Sequence, residues 1–403
     1  MHRKILTGTT GILMAGMLSA TLATSAQAQS SGPSTEQLLR LIQQQQKQLD
    51  EMKAALQRAQ AAAEKAAVSA EEAKAAPKTA LPEYLNIGGA AEIEATETEA
   101  FSGSDSSDIT LAKVELFFDA NPTDWLEGHV QVLYEDDGTE TISLDEAWVK
   151  IGGSDEYPLF VQAGKWVVPF GNFDTAMSTD PLTKNVGETK EATVLGGVAW
   201  QGFTIQAYVY NGDTQENDDG NYIDQIGAAV DYEGAVGDAA LTVGAGYISN
   251  VADSDTLTDT LGTNASALGG YVPGAEVHGA VAMAGFTVRG SYLTATKAFR
   301  SGEIAFNGTG AKPAAWHTEL SYDTKIMNRD VTFAATAQGT KEALALGLAE
   351  TRLGAAVTVG LIDVSPFATS ITLEYLHDED YSTTDGGTGN NGHTATVKLA
   401  AEF

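Results

Sequence analysis

The carboxyl-terminal strand restricts what this chain can fold into more than any other segment. From Ala395 the residues run Ala-Thr-Val-Lys-Leu-Ala-Ala-Glu-Phe and stop at Phe403. Ala395, Val397, Leu399, Ala401 and Phe403 fall on one side of a strand; Thr396, Lys398, Ala400 and Glu402 fall on the other. This is a period of two carried to the last residue. An aromatic-ended strand with one apolar face needs something apolar against that face. A closed sheet with hydrocarbon outside and water inside meets the need.

The same period recurs from Tyr84 onward. Ala112, Val114, Leu116 and Phe118 alternate with Lys113, Glu115, Phe117 and Asp119. Phe203, Ile205, Ala207 and Val209 alternate with Thr204, Gln206, Tyr208 and Tyr210. Phe286, Val288 and Tyr292 oppose Thr287, Arg289 and Ser291, and Phe367, Ile371, Leu373 and Tyr375 oppose Ala368, Ser370, Thr372 and Glu374. The pattern predicts strands at 84–95, 110–120, 126–135, 143–151, 158–166, 193–200, 203–211, 222–232, 238–249, 275–283, 286–297, 313–323, 330–338, 350–360, 366–377 and 392–403. Short turns such as Gln201-Gly202 and Ala284-Gly285 alternate with long connections such as 96–109, 167–192, 250–274 and 378–391. A sandwich also alternates its faces, but a strict long–short order of connections fits a membrane barrel with its ends on the short-turn side. The expected fold is an all-β transmembrane barrel of about 16 antiparallel strands, preceded by an N-terminal α-helical coiled-coil segment. Trp125 and Trp200 are expected in one interfacial girdle, Trp166 and Trp316 in the other, and Trp148 in the lumen.

The amino-terminal region reads differently. Arg3 and Lys4, an apolar stretch and Ala26-Gln27-Ala28 form a secretory signal over 1–28, cleaved after Ala28. A short linker, 29–34, follows. Over 35–76 a heptad series runs through Ile42, Leu49 and Leu56 at one seam position and Leu38, Gln45 and Met52 at the other, which predicts a coiled coil. Pro77 and Pro82 lie in a linker, 77–83, and the barrel occupies 84–403. The coiled coil implies partner copies, a homotrimer suiting the architecture, with the helix in the periplasm. The net charge of −31 repels nucleic acid. The absence of cysteine excludes disulfides and thiolate chemistry. Outer-membrane lipid, lipopolysaccharide and the barrel-assembly machinery are the expected surroundings.

No catalytic motif, phosphate loop or zinc-binding histidine pair is present in the sequence, so no enzyme activity, cofactor or metal site is expected. Aspartates in 211–221 and 253–259 have the spacing of calcium loops without their terminal Glu. The informative connection is 167–192. It is too long for a hairpin and too apolar, in Val168-Pro169-Phe170-Gly171-Asn172-Phe173, for a solvated loop. It is expected to fold inward and narrow a pore, with Phe170, Asn172, Phe173, Asp174, Lys184, Glu188 and Lys190 at the constriction. The alternative is a subunit-contact loop or outer cap. Lumen-facing candidates are Lys113, Glu115, Glu146, Trp148, Lys150, Arg289 and Glu374. The cations among them either form a path for anions or balance the acids. The five segments 96–109, 135–142, 211–221, 250–274 and 378–391 hold nineteen acids and no Lys or Arg.

The stretch 164–193 resembles the LbtU-type siderophore porins, through Pro169-Phe170-Gly171 with Phe173, Asp180-Pro181-Leu182-Thr183, and Gly187-Glu188-Thr189 with Glu191. The order of signal peptide, coiled coil and barrel is also similar to that family. The resemblance implies an outer-membrane porin for passive or weakly selective uptake of small solutes, with a ferric siderophore as cargo. Two alternatives are an envelope-tethering barrel with a periplasmic coiled coil and a general or anion porin.

Overall fold

The computed structural model describes residues 82–136, 141–217, 220 and 222–403. The signal peptide, the linker 29–34, the coiled coil of 35–76 and the first part of the linker 77–83 lie outside the described residues.

Sixteen strands close into a barrel. They are β1 (Leu85–Glu99), β2 (Ser106–Thr123), β3 (Leu126–Glu135), β4 (Ile142–Gly152), β5 (Leu159–Val167), β6 (Lys190–Trp200), β7 (Phe203–Tyr210) and β8 (Gln225–Val236). They continue with β9 (Ala239–Ile248), β10 (Gly274–Met283) and β11 (Phe286–Ala295). Two short strands, β12 (Ala305–Phe306) and β13 (Thr309–Gly310), form a separate loop hairpin. The barrel resumes with β14 (Ala314–Ile326), β15 (Arg329–Lys341), β16 (Thr351–Val364), β17 (Phe367–Glu379) and β18 (Asn391–Glu402). Every barrel strand pairs antiparallel with its neighbours in sequence, and β18 closes on β1, Ile93 facing Leu399 and Ala95 facing Val397. Among the described residues, the closed ladder leaves no edge strand in the barrel.

The alternation in sequence predicts each of the sixteen barrel strands but not the β12–β13 hairpin, and several strands run further than it suggests. β2 begins at Ser106 and β16 reaches Val364, so the turn expected at 361–365 contracts to Ser365-Pro366. The reason is that backbone pairing continues past the point where side chains stop alternating. Ser106 and Ser107, polar on both faces, still pair with Thr98 and Glu97. Gln201-Gly202 and Ala284-Gly285 both take positive φ at each central residue, as does Met327-Asn328. This backbone twist matches that of tight hairpins.

The faces separate as the alternation requires. Val288, Leu320, Leu353, Leu373 and Leu399 are exposed on the outside. Glu276, Glu319, Gln338, Thr372 and Glu374 are buried on the inside. Trp125 and Trp200 are exposed near short turns, and Trp316 near the long-loop end, where exposed Tyr247, Tyr292 and Tyr375 accompany it. Trp166 departs from the expected girdle. It is 7% exposed and belongs to the inner apolar cluster with Phe170 and Leu195, because in β5 it shares the face of buried Phe160, opposite exposed Leu159, Val161 and Ala163.

The outer belt predicts its own sensitivity. Leu373→Arg, in the middle of the belt, should cost about 2–4 kcal/mol in a lipid bilayer, the penalty for a cation facing the bilayer midplane. Refolding into vesicles, read by the mobility difference between folded and boiled protein on a gel, should show a reduced folded fraction. Unchanged folding would mean that this face does not meet hydrocarbon.

Candidate functional site in the barrel lumen

The segment between β5 and β6 passes through the inside of the barrel. It leaves β5 through Val168 and Phe170, both buried in an apolar cluster that includes Ile248, Val251 and Leu257. Gly171, at φ +105°, then turns the chain, and a Cβ there would strike the Phe173 ring. Asn172 and Asp174 bond to each other through Nδ2 to Oδ2 (3.2 Å) and through the Asp174 N–H to Oδ1 (3.1 Å).

Beyond Asp174 the segment reaches the far wall, where β15 stands opposite β5 in the ring. Two buried carboxylates receive it. Glu319 of β14 accepts the Thr175 hydroxyl (2.5 Å) and the Ala176 N–H (3.0 Å). Glu374 of β17 accepts the Ser178 N–H (2.6 Å), the Thr179 N–H (3.2 Å) and the Thr179 hydroxyl (2.5 Å). The Ser178 hydroxyl reaches Glu94 of β1 at 3.3 Å. Between these anchors Met177 packs on Ala334, Ala356 and Leu376. The Leu182 N–H then donates to Gln338 of β15 at 2.7 Å and opens a short helix, α1 (Leu182–Gly187). Helix α1 returns along β14 and β11, where Gly187 comes so close to Leu293 that a Cβ would lie 2.0 Å from the leucine.

The cations of the lumen are held by acids. Lys113 pairs with Glu115 (3.4 Å), Lys150 with Glu127 (3.5 Å), Lys398 with Glu92 (3.4 Å) and Arg352 with Asp378 (2.7 Å). Arg289 donates to Glu319. Of the two roles open to these cations in sequence, the geometry favours charge balance. The partners differ in part from those the sequence suggests: Lys150 takes Glu127, while Glu146 accepts the Val167 N–H at 3.4 Å. Trp148 stacks on His129 with ring centroids 5.4 Å apart.

The residues expected at the constriction separate into groups. Phe170 is 1% exposed and belongs to the apolar core under the loop, so it anchors the segment rather than narrowing an opening. Asn172, Phe173 and Asp174 lie at the entry to the lumen crossing. Lys184 bonds Asp180 (2.8 Å) and Glu188 (3.5 Å). Burial lowers the Lys184 ammonium and these two acids more than offset it, leaving it raised, with Glu135 of β3 also contributing. Burial raises Glu188. Lys190 starts β6 and holds Asp145 at 2.5 Å. Asp145 sits where β3 and β4 slip register between Gln131 and Val132, an irregularity that the alternation does not announce.

Of the residues that hold the segment, Glu374 is among the lumen candidates read from sequence, whereas Glu94, Glu319 and Gln338 are not. The available signal was an acid or amide at an inward position facing the donor-rich run Thr175-Ala176-Met177-Ser178-Thr179. Substituting Glu374→Gln should weaken two backbone anchors, each hydrogen bond to a charged acceptor being worth about 1.5–3 kcal/mol. Hydrogen exchange at Ser178 and Thr179 should then accelerate by roughly tenfold or more, while amides in the barrel ladder stay unchanged. Equal acceleration in the ladder would point to general loosening instead.

Above the lumen the outer loops share an apolar core that includes Val251, Leu268, Phe299 and Ile304, together with helix α2 (Asp255–Leu261). A buried polar knot lies within it. Asp253 accepts the Thr214 N–H (2.8 Å), the Thr214 hydroxyl (2.7 Å) and Asn250 Nδ2 (3.0 Å). Burial raises the Asp253 carboxyl to about 6, against the lowering effect of these hydrogen bonds. The packed loop thus retains a proton that an opened loop releases between the ordinary carboxylate range and pH 6. This contribution to loop stability is present in acid and is lost as pH rises through about 6. Exchange protection of the Thr214 amide, corrected for intrinsic rate, should be roughly tenfold greater at pH 5 than at pH 7. Asp253→Asn should remove the difference.

Among known proteins, the chain is 29% identical over 328 residues to a UPF0422 protein of Coxiella burnetii, covering 79% of this chain and 69% of the relative. It is 29% identical over 359 residues to a UPF0422 protein of Legionella pneumophila strain Lens, covering 79% and 66%. The chain thus spans about two thirds of the length of the curated relatives it matches. No protein-family model matches it. Among solved structures it superposes on the anion-selective porin of Comamonas acidovorans with a TM-score of 0.53, at 12% identity, over 79% of this chain and 99% of that one. The barrel resembles the outer-membrane porins. OprB of Pseudomonas putida gives a TM-score of 0.52 at 11% identity, over 79% and 94%, and the channel DcaP of Acinetobacter baumannii 0.51 at 12%, over 78% and 96%. At these identities the porin likeness is one of fold.

Proposed function

We propose that this protein is a channel of the bacterial outer membrane through which small polar solutes pass, with cations preferred over anions. The observation that carries the reading is the segment 168–189, held inside a closed barrel by wall carboxylates while the barrel's outside is apolar. A segment fixed there narrows the route through the lumen, and Asp174, Lys184 and Glu188 are our candidates for the charges beside it. Lys113, Lys150, Lys398 and Arg352, which already hold carboxylates, offer an entering anion little, and the acidic outer loops repel it. The anion-porin alternative is disfavoured on the same ground.

The finer reading, from the resemblance of 164–193, is that the cargo is an iron–siderophore complex. The heptads of 35–76 further suggest a trimer joined by a periplasmic coiled coil, in contact with lipopolysaccharide and inserted by the barrel-assembly machinery. No chemical step or cofactor is part of this proposal.

Planar-bilayer recording tests the coarse reading. The purified barrel should give discrete conductance steps, and a potassium chloride gradient should give a reversal potential of the sign for cation selectivity. Deleting residues 170–188 should raise the conductance several-fold. Unchanged conductance and selectivity would remove the constriction, and absence of steps would remove the channel. Growth of a deletion strain under iron, phosphate and sugar limitation tests the cargo; a defect confined to iron limitation is the expected result.

A further inference from the structure

We propose that a recess beside the threaded segment binds a small zwitterion of the α-amino acid or short-peptide class. The proposal rests on the channel reading for its route of access and deepens it by naming a solute class.

The recess has a volume of about 250 Å³. Drug-sized ligand sites usually occupy roughly 300–1,000 Å³, so this one suits a smaller solute. Asn172 and Asp174 of the threaded segment form one side. The other is the inner wall, with Arg289 and Ser291 of β11 and His317 of β14.

The charges on the two sides are opposite and incompletely used. Arg289 gives one N–H to the buried Glu319. A guanidinium has five N–H donors, and this one is partly exposed. Ser291 is two residues along the same strand, on the same face, and adds a hydroxyl whose described bond is a 3.4 Å contact with the Thr183 hydroxyl. Across the recess, the described bonds of the Asp174 carboxylate involve Oδ2 alone, leaving Oδ1 for a cation. His278 also lines the space, but Glu276 (3.1 Å) and Asp231 (3.4 Å) occupy its two nitrogens. It is therefore not a second free cation.

His317 stands behind the same wall. His317 is 2% exposed, and its Nε2 has no hydrogen-bond partner among the described residues. The nearest Glu319 oxygen is 3.8 Å away, beyond hydrogen-bond reach.

The pairing of charges selects the class. A simple anion would satisfy Arg289 but sit opposite Asp174, and a simple cation would meet the reverse conflict. A neutral polyol would gain no ion pair to replace the water it displaces. A zwitterion can place its carboxylate on Arg289 and its ammonium on Asp174 without either conflict.

Saturation-transfer NMR on the full barrel in detergent, with glycine, acetate, methylammonium and glycerol as probes, tests the site without requiring conductance. Glycine should bind saturably, and each other probe at least about tenfold more weakly, the loss of one charged partner. Asp174→Asn should weaken glycine roughly tenfold and narrow its advantage over acetate. Arg289→Gln should also weaken glycine, and Arg289→Lys, which keeps a cation beside Glu319, controls for disturbance of that buried acid. Glycine binding no better than acetate or methylammonium, or undiminished by Asp174→Asn in a folded barrel, overturns the proposal. Bilayer recording on the same preparation separates the two readings. A barrel that conducts but ignores glycine loses the site alone, and one that binds glycine without conducting loses the channel alone.

Discussion

Everything else in this protein depends on the pairing of its first strand with its last. β1 is hydrogen-bonded to β2 on one side and to β18 on the other, and the Gly89 and Phe403 backbones exchange both their bonds at 3.0 Å. In the hydrocarbon setting proposed for the barrel, an open edge would leave a row of amides and carbonyls with no partner, at several kcal/mol each. Closure removes that penalty and makes the two faces of the sheet unequal. The outside can then be apolar from Tyr84 to Phe403, while the inside becomes a place where acids and amides can be kept.

The inner wall is used mainly to hold a piece of the chain. Glu319 and Glu374 are buried acids whose acceptor capacity is taken by Thr175, Ala176, Ser178 and Thr179, and Gln338 takes the Leu182 N–H. A crossing segment lacks the ladder that satisfies a strand, so its amides need acceptors from the wall, and a carboxylate can accept several. Glu319 shows the dual demand most clearly, because it also holds Arg289. The same arrangement that fixes the segment neutralises a cation that would otherwise face the lumen. Anchoring and charge selection are therefore coupled through shared residues.

The apolar core beneath the outer loops contributes in a different way. Phe170 and Val168 pack there with Val251 and Leu257, tying the start of the crossing to the loop that contains helix α2. The segment is thus held by dispersion and burial at its beginning and by charge-assisted hydrogen bonds at its far end. These two kinds of anchor respond to different conditions, since carboxylate acceptors depend on pH and apolar packing does not.

Strand alternation is a local property, written in which side of the backbone each residue takes, and for that reason the sequence alone determined the number of barrel strands, their order and their two faces. Turn pairs such as Gln201-Gly202 and Ala284-Gly285 were equally readable, because their backbone geometry is set by two residues. The length and apolar start of 167–192 marked it as unusual for the same local reason. What covers Phe170 and which acid each lysine holds were decided only by the tertiary structure. Lys150 had Glu146 near in sequence and took Glu127 of the preceding strand; Glu319 lies far along the chain from the Thr175 hydroxyl it accepts. The first pairing depends on a register slip between neighbouring strands and the second on where the crossing segment meets the far wall, and no periodicity within a strand carries that information.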